Sequence, residues 1–372
     1  MNITLGLDRA DTPKTVGTWV GMGVSEFFAG FVPPSWSETF GWELNLNRRC
    51  FGPEWQFRSA ADLGAVIHTI HEFGARAFIA LNTHQYTDVQ LPLVREAVEA
   101  VEPFGPDAYI LADLGLIAAL KEWGIERPLH LSTGAACFNS ETVRFYCEQG
   151  NIERVIFPRK LSLAEILTVT AELRDLPLEY EAFIMGGRCP YNDELCFSWH
   201  SGEGQNLCAR AAAPNISTRR RFPDDWKDMA DELIALADPL DGFSRDGPLD
   251  RLHQAIDAPQ TPTVALPPSS GDDQSDGLAL RLTQLMMMNC GLCAIPALRE
   301  AGIHSVKIIS RGEMWKKVRM TEAVKAVLDL RKPTQEDCQQ ILSSPAFCNH
   351  LGSCFYDVRS PNDRAIPPEP QP

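Results

Sequence analysis

A (β/α)8 barrel of the TIM-barrel kind, with a cysteine-containing insertion between its seventh and eighth strands, is the fold this sequence predicts. Three observations predict it. Short apolar, β-branched runs alternate with helical segments, and eight such runs can be placed along the chain. The 372 residues are 44% hydrophobic and 22% charged, a globular composition that can bury a large core. The runs are short and continuous rather than alternating, which is how strands buried on both faces read. Such strands joined by helices close into a parallel barrel.

The expected strands are residues 3–7, 24–30, 77–81, 108–112, 129–131, 155–157, 178–184 and 305–309. Helices are expected between several of them. Residues 59–73 open on Ser59 as an N-cap, with Asp62 three positions on, and close on Gly74. Residues 90–101 carry apolar side chains at 91, 93, 94, 98 and 101. Residues 114–123 run into Gly124, and 139–149 carry Cys147. Residues 162–173 start with Ser162 and Glu165, a capping-box spacing. The barrel is expected over 1–330, with an insertion at 185–300 longer than one helix needs, and 331–372 form a C-terminal tail. Residues 258–277, rich in Pro, Ser and Asp, read as a flexible loop, and the Pro-rich 360–372 as frayed.

The net charge of −15 argues against a broad grip on nucleic acid, because phosphate binding needs clustered cations. Arg219–Arg221 is the one basic run and reads as a solvated loop. No membrane-length apolar stretch and no secretory N-terminus are seen, which sets the expectation of a cytoplasmic protein without a membrane partner.

The 11 cysteines are an odd number without an export signal, so a disulfide framework is not expected. Cys137 and Cys147 read as core packing. Cys189, Cys196, Cys208, Cys290 and Cys293 fall in the insertion, with Gly202, Gly204 and Asn206 allowing the segment to bend. Converging thiolates suit an iron–sulfur cluster or zinc, and spacing does not choose between them. Cys50 stands apart. Cys338, Cys348 and Cys354 form a tail group that reads as packing or surface thiols, with a second metal site as the alternative.

The run from Glu181 to Ser198 resembles the signature of peptidase family U32, the collagenase-like proteins. Glu181, Phe183, Gly186, Cys189, Cys196 and Ser198 match in register, while Arg188, Glu194 and Phe197 depart from it. Asn82-Thr83, Asp113-Leu-Gly115, His130-Leu-Ser132-Thr133, Arg159 with Leu161-Ser162, Leu292-Cys293 and Lys307-Ile308 with Arg311 are similar to further family motifs. Lys160 replaces a family Glu, and an acid is lost after Ile308. The resemblance implies a barrel-like fold and a 4Fe–4S cluster, with zinc as the alternative. It also implies kinship with tRNA, rRNA and oxygen-independent ubiquinone hydroxylation proteins. Carried over by position, the cluster and metal ligands are Cys189, Cys196, Cys208 and Cys293, with Cys290 as the spare.

In such barrels the active face lies at the C-terminal ends of the strands. The polar residues expected there are Asn82, His84, Asp113, Ser132, Thr133, Arg159, Glu181 and Arg311. Arg159, Glu181 and Asp113 are the candidate catalytic residues. Arg159 either pairs with Glu181 or binds a substrate carboxylate or phosphate. Asp113 is equally suited to cap a helix, as are Ser132 and Thr133, and His200 reads as a loop histidine. Three functions stay open: a cluster-dependent, oxygen-independent hydroxylase acting on a small molecule or RNA; a peptidase, although no His-Glu-x-x-His or Gly-x-Ser-x-Gly motif is present; and a non-catalytic subunit paired as a heterodimer with another family member.

Overall fold

Eight of the chain's strands find partners on both edges, and this closes the sheet. The computed structural model describes residues 1–42, 44–48, 53–187, 193–196, 289–309, 314–342 and 354–356. Its strands are β1 (Asn2–Gly6), β2 (Glu26–Ala29), β3 (Arg76–Leu81), β4 (Ala108–Leu111), β5 (Leu129–Leu131), β6 (Ile152–Ile156), β7 (Glu179–Gly186), β8 (Asn289–Cys290) and β9 (Ser305–Ile308). All of β1 to β7 pair parallel in chain order, and β9 pairs parallel with both β7 and β1. The short β8 adds antiparallel to the end of β7 through Met185↔Cys290 and Gly186↔Asn289. The result is a closed eight-stranded parallel barrel wrapped by helices, as the sequence pattern predicts.

The caps that mark the helices in the sequence act as read. Ser59 accepts from the Asp62 N–H before α3 (Ala60–Glu72), and Gly74 follows it at φ 69°. Asn139 caps α6 (Ser140–Gln149), and Ser162 and Glu165 form a reciprocal capping box at α7 (Leu163–Glu172). Between them lie α4 (Leu91–Val101) and α5 (Leu114–Glu122). Five further helices fall on segments where the sequence reading names none: α1 (Pro13–Gly21), α2 (Pro34–Phe40), α8 (Ile295–Glu300), α9 (Met314–Asp329) and α10 (Gln335–Leu342). Two glycines weaken the helical pattern of α1, but a Thr12–Thr15 capping box and burial of Val16 and Trp19 hold it. Most of the expected insertion lies outside the described residues, as do the Pro/Ser/Asp-rich loop, Arg219–Arg221 and the Pro-rich end.

The barrel interior is ionic at its N-terminal floor. Glu26, Arg154, Glu181 and Lys307 are buried. Arg154 Nη1 donates to Glu26 Oε2 at 2.6 Å and to Glu181 Oε2 at 2.9 Å. Lys307 Nζ donates to Glu181 Oε1 at 2.6 Å and lies 3.8 Å from the centroid of the Phe28 ring. Thr4 donates to Glu26 at 2.7 Å and shares a 2.6 Å hydrogen bond with Ser305. Arg76, Glu153, Glu179 and His130 extend the network. Burial raises the Glu26 carboxyl, but Arg154 and Thr4 outweigh it and bring the group down to about 2. Glu181 is therefore not at the strand ends as expected. It is the third residue of β7, pairs with Arg154 and Lys307 rather than Arg159, and builds the floor. Its physical role there is to neutralise two buried cations.

Candidate functional site

The opposite, C-terminal rim gathers polar side chains from loops after five different strands. Arg48, in the loop after β2, is held by its backbone: its N–H donates to Asn82 Oδ1 at 3.0 Å, and Asn82 Nδ2 donates to Ser132 Oγ at 3.2 Å. Its guanidinium donates to Thr133 Oγ1 at 3.4 Å and to Asp193 Oδ1 at 3.2 Å. Arg159, three residues beyond β6, donates from Nε to Asp193 Oδ2 at 2.9 Å and from Nη2 to Asp193 Oδ1. Its Nη1 also donates to the Gly187 carbonyl at 2.5 Å, and the guanidinium lies over the Phe183 ring. His84 Nε2 pairs with the Asp193 carbonyl at 2.5 Å. Burial and the nearby Arg48 push the imidazole down, so it is neutral at neutral pH and Nε2 carries the proton to that carbonyl. Burial opposes ionisation of Asp193, but Arg159 and Arg48 hold its carboxyl well below the usual carboxylate range.

The chain leaves the barrel toward this rim at Gly186, whose φ is 115°. A Cβ there would stand 2.4 Å from the Ile309 carbonyl, so only glycine allows the exit. The described piece of the segment beyond, 193–196, ends on Cys196. Half-buried Cys196 lines a cavity of about 120 Å³ with Asn45, Arg48, Thr83, His84, Gln85, Glu194 and Leu195. A thiol on such a wall suits a soft-metal donor.

The remaining expectations separate. Asp113 is the N-cap of α5: its carboxylate accepts from the Gly115 N–H at 2.9 Å and from the Tyr86 N–H at 2.8 Å. Cys293 lies in a 3-10 turn, Leu292–Ala294, against α10, where contact with its sulfur and burial push the Cys338 thiol up. Cys290 and Cys354 form a β-bridge beside it. Cys50, Cys189, His200, Cys208, Arg311 and Cys348 lie outside the described residues. Among the described residues, no group of three His, Cys, Asp or Glu side chains is placed to hold a metal ion, and no helix is long and apolar enough to cross a membrane. Arg48 and Asp193 are the residues the sequence reading passes over. Their only signal is position: each stands a few residues from a cysteine, Cys50 and Cys196 respectively.

Comparison with known proteins gives the same family as the motifs. The model of peptidase family U32 matches residues 43–212. The tRNA hydroxylation protein P of Escherichia coli (strain K12) is 26% identical over 253 residues, covering 66% of this chain and 53% of that protein. The 23S rRNA 5-hydroxycytidine C2501 synthase of the same organism is 26% identical over 200 residues, covering 54% of this chain and 29% of that protein. The chain thus spans about half the length of the first relative and less of the second. Among solved structures, the U32 peptidase Mk0906 aligns at a TM-score of 0.38 and 14% identity, over 60% of this chain and 83% of that one.

Proposed function

From the resemblance to peptidase family U32, borne out by the family match and by these relatives, we propose that this chain serves RNA hydroxylation and that its barrel rim carries a 4Fe–4S cluster. The observation that carries the proposal is that Cys196 lines the rim cavity beside Arg48 and His84. The implied ligand set is Cys189, Cys196, Cys208 and Cys293. Its all-sulfur chemistry fits iron–sulfur and zinc alike, and the relatives named for hydroxylation favour the redox-active group. When bound, such a cluster supplies one-electron chemistry.

The chain's own residues supply position and charge. Arg159 and Arg48 tie segment 193–196 to the rim, and Asn82 and Ser132 fix the loop that presents Arg48. Neutral His84 holds its proton on the Asp193 carbonyl, which leaves Nδ1 as an acceptor. Thr83, also on the cavity wall, donates its hydroxyl to the Asn45 carbonyl at 2.8 Å and so ties the loop after β3 to the loop after β2. Both guanidiniums are engaged by Asp193, so their work at the rim is to hold this segment in place.

The test is expression in cells lacking the tRNA hydroxylation protein P, with nucleoside mass spectrometry of tRNA and rRNA. Gain of one oxygen on a nucleoside, lost in Cys196→Ala, is the expected result. Anaerobically purified protein is expected to contain iron and sulfide and to give an electron paramagnetic resonance signal on reduction. Colourless, iron-free protein that still restores the modification overturns the cluster. Cleavage of casein or gelatin that survives iron removal replaces the reading with a peptidase.

A further inference from the structure

We propose that Asp193 is a positioning residue, the latch that sets Cys196 on the barrel rim. The inference rests on the reading of Cys196 as a rim ligand. Asp193 is 1% exposed and takes hydrogen bonds from three loops at once. Its carboxylate receives the fork of Arg159 from the loop after β6 and the guanidinium of Arg48 from the loop after β2. Its carbonyl receives His84 from the loop after β3.

The sheet order places β2 and β6 four strands apart in a ring of eight, on opposite sides of the barrel. One carboxylate therefore bridges the diameter of the rim. Cys196 follows three residues later, on the cavity wall that Arg48, Thr83 and His84 also line. The reach from latch to thiol is short, so fixing Asp193 fixes the neighbourhood in which the sulfur stands. The latch also depends on charge. An amide in place of the carboxylate keeps the shape, but it has one acceptor oxygen and turns an N–H2 toward a guanidinium that also donates. A bidentate pair between two ionised groups is thereby reduced to a single contact in which only the guanidinium is charged.

The experiment compares full-length wild type, Asp193→Asn and Asp193→Glu, each prepared anaerobically. Alkylation of Cys196 by iodoacetamide is followed by peptide mass spectrometry in iron-free protein, and iron loss to a chelator is followed in iron-loaded protein. In Asp193→Asn both rates are expected to rise roughly tenfold, the scale set by a lost hydrogen bond to a charged group. The far-UV circular dichroism of the barrel is expected to stay that of wild type. Asp193→Glu, which retains the charge, is expected to return both rates toward wild type. A folded Asp193→Asn with wild-type alkylation of Cys196 overturns the proposal. If Asp193→Asn does not fold, Arg159→Lys decides instead: it keeps the charge but loses the fork, and unchanged alkylation there also overturns the latch. If wild type takes up no iron while the alkylation difference persists, the cluster reading falls and the latch stands.

Discussion

The two ends of this barrel use the same pair, guanidinium and carboxylate, for different ends. At the floor the partners Glu26, Arg154, Glu181 and Lys307 all sit on strands, with side chains buried inside the ring. At the rim Arg48, Arg159 and Asp193 sit on loops and on a segment beyond the last residue of β7. A strand-borne pair is locked by the sheet's register and works as packing. A loop-borne pair joins segments that the sheet does not otherwise hold, so it decides where those segments lie. The lesson is that burial alone does not identify a site here. Glu181 is fully buried and charged yet structural, whereas Asp193 is as buried and governs the placement of a thiol.

That contrast can be broken or sharpened by experiment. The largest effect is expected at the floor. Arg154→Met leaves Glu26 without its main partner and removes one of the two cations that face Glu181, and breaking a buried pair from one side costs about 3–5 kcal/mol. Urea unfolding measures it; a loss below about 1 kcal/mol would place the floor among weak surface networks instead.

Acid gives the next effect. Glu26 lies at about 2 against an ordinary 4.5, and Glu153, held by His130 and Arg76, also lies at about 2. Carboxyls depressed by folding contribute stability that is complete above about pH 4.5 and fades as pH falls through 2, because the unfolded chain takes up protons first. Denaturant midpoints measured from pH 6 to pH 2 should therefore fall mainly below pH 4.5, and in Glu26→Gln the fall should be shallower.

The smallest effect is expected at Asp113. As an N-cap it contributes about 1 kcal/mol, so Asp113→Ala should lower the unfolding free energy by that amount and Asp113→Asn by less. Equal losses for the two substitutions would show that charge, rather than capping, is what the carboxylate supplies.

Much of the fold is legible in the sequence because its signals are local. Ser59, Asn139 and the Ser162–Glu165 pair announce helix starts through hydrogen bonds within one turn, and Gly74 announces a stop through a backbone conformation. Most strands are legible because their centres are short apolar runs, whereas the charged start of β6, Ile152-Glu153-Arg154, lies outside the run that reads as strand. Helix α1 escapes notice because Gly17 and Gly21 dilute its pattern, and its evidence is tertiary burial of Trp19. The site is legible only in part. Arg159 is found because it belongs to a recognisable motif, and Glu181 is found but misplaced, since its motif neighbours say nothing about which half of a strand faces a cation.

The linear chain therefore decides the alternation of strand and helix and the caps that bound the helices. Each of these is settled within a few residues by backbone geometry, side-chain reach and polarity. Which charges neutralise one another is decided by closure of the ring alone. Arg154 meets Glu26 across 128 positions of chain and Arg48 meets Asp193 across 145. No local preference encodes such meetings, because they exist only once opposite strands have been brought within hydrogen-bond distance.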